Sequence, residues 1–183
     1  LEFRDPATLT ADRLREIDDV ARSYDAAITQ ASATIAQSQR EVLIMNTSGL
    51  HVSDTQTRTR CVVQTIAKNS DGIQSAHEAP GRSVGSEYFD VFSVADIARI
   101  AAKRSVTLLG ARPAPSGNLS VILKKGAGGV LFHEACGHGL EADHIDKAQS
   151  VFAGKVGKQV ASPLVTLVDD GTMGDEWGTY RFD

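Results

Sequence analysis

Residues 28–46 read ITQASATIAQSQREVLIMN, and residues 50–68 read LHVSDTQTRTRCVVQTIAK. Thr, Val, Ile, Ser and Gln dominate both stretches, a composition that is typical of β-strands. Turn signals interrupt them at Asn46-Thr47-Ser48-Gly49 and again at Asn69-Ser70-Asp71-Gly72, where Asp71-Gly72 is a hairpin signal. The stretch therefore predicts an antiparallel meander with strands at 28–37, 41–46, 50–68 and 72–78.

The third of these strands is long and mixed in polarity. Thr55, Thr57 and Thr59 alternate with Arg58 and Arg60 along it. One explanation is a sheet that has a single solvated face. The other is a sheet with an exposed edge that accepts an extended peptide. The sequence leaves both explanations open.

Two amphipathic helices flank the meander. Apolar residues recur at helical spacing from Thr10, a predicted N-cap, to Tyr24. Ser93 begins a second helix with Asp96 three residues later, a weak form of the capping box, and Gly110 is a plausible C-terminal stop. Both helices are expected to pack on the sheet.

Residues 112–117, Arg-Pro-Ala-Pro-Ser-Gly, are typical of a linker and give the best candidate domain boundary. The predicted organisation is a helix and meander region at 1–111 and a motif-bearing region at 112–183. The second region is expected to contain a strand at 118–123, a Gly-rich turn at 126–129, the start of a short apolar helix, and an apolar strand at 164–168. The predicted fold class is α+β, an antiparallel or mixed sheet with packing helices followed by a strand, Gly-turn and helix unit.

Composition excludes several classes of protein. The 183 residues carry 19 Lys+Arg and 23 Asp+Glu, a net charge of -4, which argues against a surface that binds nucleic acid directly. No apolar run approaches the roughly 20 residues that span a bilayer, and no secretion signal opens the chain. Two cysteines make no disulfide framework and fit a reducing cytosol. Cys61, in an apolar run, is expected to be a small buried hydrophobe.

The chain begins Leu1-Glu2-Phe3 and stops at Tyr180-Arg181-Phe182-Asp183, directly after a Gly-rich loop. We expect these residues to be an internal fragment of a longer protein.

The candidate metal-ligating and catalytic side chains lie close together in residues 130–144, which read VLFHEACGHGLEADH. His133, Glu134 and His138 place two imidazoles and a carboxylate within six residues. Histidine is the commonest metal ligand, and a Glu beside a ligand can act as general base on a metal-bound water. The alternative is that His133 and His138 are incidental surface residues.

The spacing of the two histidines is unusual for a metal site on a helix. The familiar zinc-protease pattern places them four residues apart, whereas these lie five apart. On a regular helix five steps turn about 500°, so the rings would diverge by about 140°. A π-bulge, or a helix that ends near Gly137, would bring them together, and Gly137 and Gly139 permit either distortion.

A catalytic zinc usually has three protein ligands and a water. The local candidates for a third ligand are Cys136, Glu141, Asp143 and His144, and nothing in the sequence selects one of them.

The block from Gly128 to Asp143, GGVLFHEACGHGLEAD, resembles the signature of the TldD/PmbA family of metallopeptidases. Val168-Asp169-Asp170-Gly171-Thr172 and the stretch from Trp177 to Asp183 look like the next block of that family, and the sheet between Ile28 and Ser86 is similar to its substrate-side region. The family pairs an active subunit that carries the block with a related partner that lacks it. This chain resembles the active, TldD-type subunit.

The resemblance implies a role for each residue of the motif. His133 and His138 would bind zinc, and Glu134 would polarise the hydrolytic water. The family's third ligand is a Cys of its C-terminal domain, and no residue of this chain occupies that position. We therefore expect the third zinc ligand to lie outside these residues and the fragment alone to be inactive.

The family degrades unfolded peptides, trims peptide precursors and was once named for modulating DNA gyrase. The resemblance thus implies a cytoplasmic zinc metallopeptidase that acts on unfolded peptides or precursors and forms a homo- or hetero-oligomer with a related subunit. Neither nucleic acid nor membrane is expected as a direct partner. One alternative is a non-catalytic peptide-binding or assembly module with a vestigial motif, and another is a metal-dependent hydrolase of some other substrate.

Overall fold

The structure is a computed structural model, and it describes residues 6–181. Contacts within the chain define two compact units. The first contains residues 6–113 and 170–181, and the second contains residues 114–169. The predicted domain division at 111/112 stays a prediction. None of the helices in residues 6–181 has the length and apolarity needed to span a bilayer.

A four-stranded antiparallel sheet organises the first unit. Its strands are β1 (Ile28–Met45), β2 (His51–Asn69), β3 (Gly72–Glu78) and β4 (Gly81–Arg82). β2 is central, since β1 pairs along one side of it and β3 and β4 pair along the other. β1 is therefore one edge of the sheet, and it is 18 residues long. This arrangement confirms the predicted meander.

The predicted break between strands at 38–40 is wrong. Ser38, Gln39 and Arg40 continue the ladder and pair with Arg58, Thr57 and Gln56 of β2. Polar side chains are compatible with a strand wherever its face meets solvent, so composition alone does not end a strand that has a partner. β3 begins and ends at the predicted residues, because its Asp71-Gly72 turn fixes the register with β2.

Helices α1 (Pro6–Ser23) and α3 (Val94–Leu109) pack on the sheet, and the short helix α2 (Tyr88–Val91) precedes α3. The main core cluster contains nine buried residues from helices and sheet: Ile17, Ala21, Cys61, Val63, Tyr88, Val94, Ile97, Ala98 and Ala101. Small alanines on α3 let the helix approach the strands closely. The α+β class is thereby confirmed.

The two predicted helix starts have different outcomes. Ser93 is the N-cap of α3, and its hydroxyl accepts a hydrogen bond from the Asp96 amide at 3.3 Å, as predicted. Thr10, by contrast, lies inside α1, because the helix already includes Pro6. A proline fits the first turn of a helix, where its missing N–H would have no partner in any case.

Cys61 is fully buried in the core cluster, which confirms its interpretation as a small hydrophobe. Burial raises the pKa of its thiol to about 11, so the reactive thiolate is disfavoured at neutral pH.

Residues 170–181 complete the first unit by docking on β4. The Trp177 ring covers Gly81 so closely that a Cβ there would lie 2.5 Å from Trp177 Cε3. Arg82 donates to the Glu176 carboxylate at 2.7 Å, and the Ser83 hydroxyl donates to the Glu176 carbonyl at 2.8 Å. The Trp177 ring can therefore pack here only because position 81 carries no side chain.

The second unit contains helices α4 (Ala127–Phe132) and α5 (Ala142–Asp146). The predicted Gly turn and motif-bearing helix are present, but the strands expected at 118–123 and 164–168 do not form. A strand needs a partner for its backbone groups, and no ladder exists among residues 114–169. Ile122 and Leu164 accordingly remain 94% exposed.

A buried hydroxyl pair offers a test of this core. The Ser105 hydroxyl donates its single hydrogen to the Ala102 carbonyl at 3.0 Å. It must therefore be the acceptor in its 2.8 Å hydrogen bond with the Thr65 hydroxyl. Ser105→Ala should lower the free energy of unfolding of the full-length protein by about 1–3 kcal/mol, because it leaves the Thr65 hydroxyl buried without an acceptor. Urea unfolding measures the change.

The double variant Ser105→Ala/Thr65→Val is the matched control. It removes both hydroxyls and should be close to wild type, since no polar group is then left unpaired. A double variant less stable than the Ser105→Ala variant would contradict this account of the pair.

Candidate metal centre

The helix that carries the motif changes pitch at His133. Beyond the regular turns of α4, residues 133–137 form a π-helical turn, in which the His138 N–H donates to the His133 carbonyl five residues earlier. A short 3₁₀ segment, His138–Leu140, follows directly. The distortion predicted from the five-residue spacing is therefore confirmed.

The π turn brings the three motif side chains together. The His133 and His138 ring centroids lie 4.2 Å apart, with 61° between the ring planes. His138 Nε2 lies 3.7 Å from Glu134 Oε2. One potential ligand atom from each of His133, Glu134 and His138 lies within 4.8 Å of the other two. The predicted functional residues thus share one site, and their roles stay predictions.

This group is compatible with a small divalent metal ion. Two imidazoles and a carboxylate form a donor set that zinc accepts. Ligand atoms around a tetrahedral zinc, with bonds of about 2.0–2.1 Å, lie about 3.4 Å apart, so the observed separations need only small side-chain adjustments. The side chains of His138 and Glu134 are 53% and 63% exposed, which leaves the site open to a substrate.

Close packing explains the glycines on either side of His138. A Cβ at Gly137 would lie 3.3 Å from His133 Nδ1, a tight contact with a predicted ligand. A Cβ at Gly139 would lie 3.1 Å from Phe152 Cε2. Gly137 therefore leaves room for the His133 ring, and Gly139 leaves room for the Phe152 ring.

The local candidates for a third ligand lie outside this group. The Cys136 thiol donates to the Phe132 carbonyl at 3.2 Å, along its own helix. Glu141, Asp143 and His144 form a second group whose ligand atoms lie within 4.8 Å of one another. Within residues 6–181, no fourth side chain joins His133, Glu134 and His138.

Sequence reasoning missed one contact of the site. Glu141 Oε1 lies 2.7 Å from His138 Nδ1, on the side of the ring away from Glu134. Its spacing of three residues from His138 is the signal that could have identified it, since residues three apart are neighbours on a helical turn.

Comparison with known proteins covers both units. Residues 4–109 match the family model of the PmbA/TldA metallopeptidase central domain. Residues 116–183 match the family model of the PmbA/TldA metallopeptidase C-terminal domain. Together the two matches include the sheet, its helices and the whole His-Glu-x-x-x-His block.

Curated relatives are named as metalloproteases. A metalloprotease TldD homolog of Haemophilus influenzae is 36% identical over 93% of this chain and 36% of its own length. A metalloprotease of Methanothermobacter thermautotrophicus is 30% identical over 98% of this chain and 40% of its own length. The chain thus spans two fifths or less of the length of these two relatives.

Two crystal structures share the fold. A candidate modulator of a DNA gyrase from Thermotoga maritima superposes with a TM-score of 0.62 at 18% identity, over 84% of this chain and 34% of that one. A candidate modulator of DNA gyrase from Bacteroides thetaiotaomicron gives a TM-score of 0.67 at 12% identity, over 87% and 35%. At these identities the likeness establishes the fold alone.

Gly137→Ala tests the packing of the candidate site. The new Cβ should displace the His133 ring by a few tenths of an ångström and weaken zinc binding by the full-length protein about tenfold. Isothermal titration with zinc measures the effect.

Gly129→Ala is the matched control, because it lies in α4 and a Cβ there meets nothing within 4 Å. We expect it to bind zinc as the wild type does. Equal affinities for all three proteins would show that the His133 ring does not depend on the space at Gly137.

Proposed function

The chain belongs to the TldD/PmbA family of metallopeptidases, and on that premise we propose that it supplies the metal-binding motif of a zinc metallopeptidase that hydrolyses unfolded peptides or peptide precursors. The observation that carries the proposal is the convergence of His133, Glu134 and His138, whose ligand atoms lie within 4.8 Å of one another. Because the chain spans only 36% and 40% of the length of the two relatives described above, the activity is proposed for the full-length protein.

Each motif residue has a separate proposed role. His133 and His138 would hold the zinc, and a third protein ligand would come from outside the 183 residues. When bound, zinc supplies Lewis acidity that activates a water and polarises the scissile carbonyl. Glu134 would accept the proton of the attacking water and then deliver it to the leaving amine.

The position of Glu134 supports its role as a base. Its carboxylate stands 3.7 Å from His138 Nε2, beyond hydrogen-bonding distance. It is also 63% exposed, so an approaching peptide and a water can both reach it. A base must lie within reach of the proton that it abstracts, and a Glu134 carboxylate oxygen lies within 4.8 Å of a ring nitrogen of each histidine.

The sheet supports an unstructured peptide as the substrate. The outer side of β1 has no ladder partner among residues 6–181, and it offers unpaired backbone groups along 18 residues. An extended chain can pair with such an edge through its own backbone, which favours unfolded peptides with little regard to sequence. We further propose a cytoplasmic location and assembly with a second copy or a related subunit.

Glu134→Gln tests the mechanism directly. In the full-length protein this change should reduce peptide hydrolysis by at least about 100-fold, because it removes the proton acceptor. Bound zinc should stay near the wild-type level, since both histidines remain. Cleavage of an unfolded peptide, followed by chromatography, and elemental analysis of the same samples give the two readings.

Asp143→Asn, a like change in a carboxylate outside the group, should leave turnover unchanged. Wild-type turnover by the Glu134→Gln variant would refute the assignment of Glu134 as base.

The alternative function is a non-catalytic peptide-binding module, and the long open edge of β1 favours it. His133→Ala discriminates between the two proposals. If the enzyme proposal is right, this variant of the full-length protein loses zinc and hydrolysis together but still binds an unfolded peptide. A wild-type protein that holds no zinc, and whose peptide affinity is unchanged by His133→Ala, would favour the binding module.

A further inference from the structure

Glu141 occupies a specific place beside the motif. The 3₁₀ segment His138–Leu140 turns the chain, and Glu141 follows it as the N-cap residue of α5. This turn brings the Glu141 carboxylate to the edge of the His138 ring, where Oε1 lies 2.7 Å from Nδ1. The distance is that of a charge-assisted hydrogen bond.

The chemistry of the pair determines which ring nitrogen carries the proton. An ionised carboxylate has no hydrogen to donate, so His138 Nδ1 must be the donor. A neutral imidazole carries one N–H, and Nε2 is then left with its lone pair. Nε2 is also the nitrogen that lies 3.7 Å from Glu134 Oε2, inside the His133, Glu134 and His138 group.

Glu141 is itself held from both sides. Its backbone amide donates a hydrogen bond to the His138 carbonyl at 3.4 Å, and its backbone carbonyl accepts one from the Ile145 amide at 3.1 Å. The carboxylate is 46% exposed, so its contact with His138 depends on these local constraints and not on burial in a core.

We propose that Glu141 is a positioning residue for His138: it fixes the Nδ1–H tautomer and the ring orientation, so that Nε2 is presented to the metal. The proposal rests on the function proposed above, since it requires that His138 binds a metal. Carboxylates that bind the second nitrogen of a ligating histidine commonly act in this way, and their loss weakens metal affinity by about 10- to 100-fold.

Zinc titration of the full-length protein tests the proposal. Glu141→Ala should weaken zinc binding by about 10- to 100-fold. Glu141→Gln should fall between Glu141→Ala and wild type, because its amide oxygen still accepts from Nδ1 but without the charge. Asp143→Asn is the matched control, since that carboxylate pairs with Lys147 at 3.3 Å, and it should bind zinc as wild type does.

A second measurement separates positioning from a general effect on stability. Nitrogen-15 NMR of metal-free, histidine-labelled protein should show His138 in the Nδ1–H tautomer, with the signal assigned through a His138→Gln variant. Glu141→Ala should shift this ring toward the Nε2–H tautomer, while its thermal unfolding matches that of Asp143→Asn.

The outcomes distinguish this proposal from the function on which it rests. A wild-type protein that binds zinc, together with an equally tight Glu141→Ala variant, would overturn the role of Glu141 and leave the proposed function standing. A wild-type His138 in the Nε2–H form would also overturn it. Absence of zinc binding in wild type and variant alike would overturn the proposed function and this role together.

Discussion

The antiparallel pairing of β1 with β2 is the interaction on which the first unit depends. It runs without a break from Gln30↔Ile66 to Met45↔His51. Strands β3 and β4 pair with β2, and helices α1 and α3 pack on the sheet that results. The pairing places Cys61, Val63 and Thr65 on the face that α3 covers, because alternate residues of a strand point to the same side. A register slip of one residue would turn these side chains toward the opposite face and leave the helices without a core.

Local signals made much of this unit predictable. The Asp71-Gly72 turn and the Ser93 cap act within a few residues of themselves, so their sequence is sufficient to place β3 and the start of α3. The unbroken course of β1 through residues 38–40 depends instead on pairing with residues 56–58 of β2, and the composition of 38–40 does not indicate that partner. The apolar runs at 118–123 and 164–168 show the same limit, since a strand forms only where another lies beside it.

The candidate site could likewise be predicted from the sequence only in part. The residue types and their spacing were sufficient to identify His133, Glu134 and His138 and to require a distorted helix. They were not sufficient to assign the neighbouring acids, because Glu141 and Asp143 are both carboxylates within a few residues of His138. Only the direction of the chain after the 3₁₀ turn determines that Glu141 contacts the ring and that Asp143 pairs with Lys147. Which carboxylate orients a metal ligand thus depends on the path of the backbone, and residue type alone does not predict that path.

The π turn also has a consequence for how such motifs arise and are found. A π turn is in effect a regular helical turn with one residue inserted, and the flanking helix absorbs the extra residue locally. Histidines four apart on a regular helix and five apart across a π turn can therefore present their rings to the same ion. Insertion or deletion of a single codon is enough to convert one spacing into the other. A motif search restricted to the four-residue spacing does not find this chain, although its two histidines and its glutamate are the same donor types as in the His-Glu-x-x-His motif.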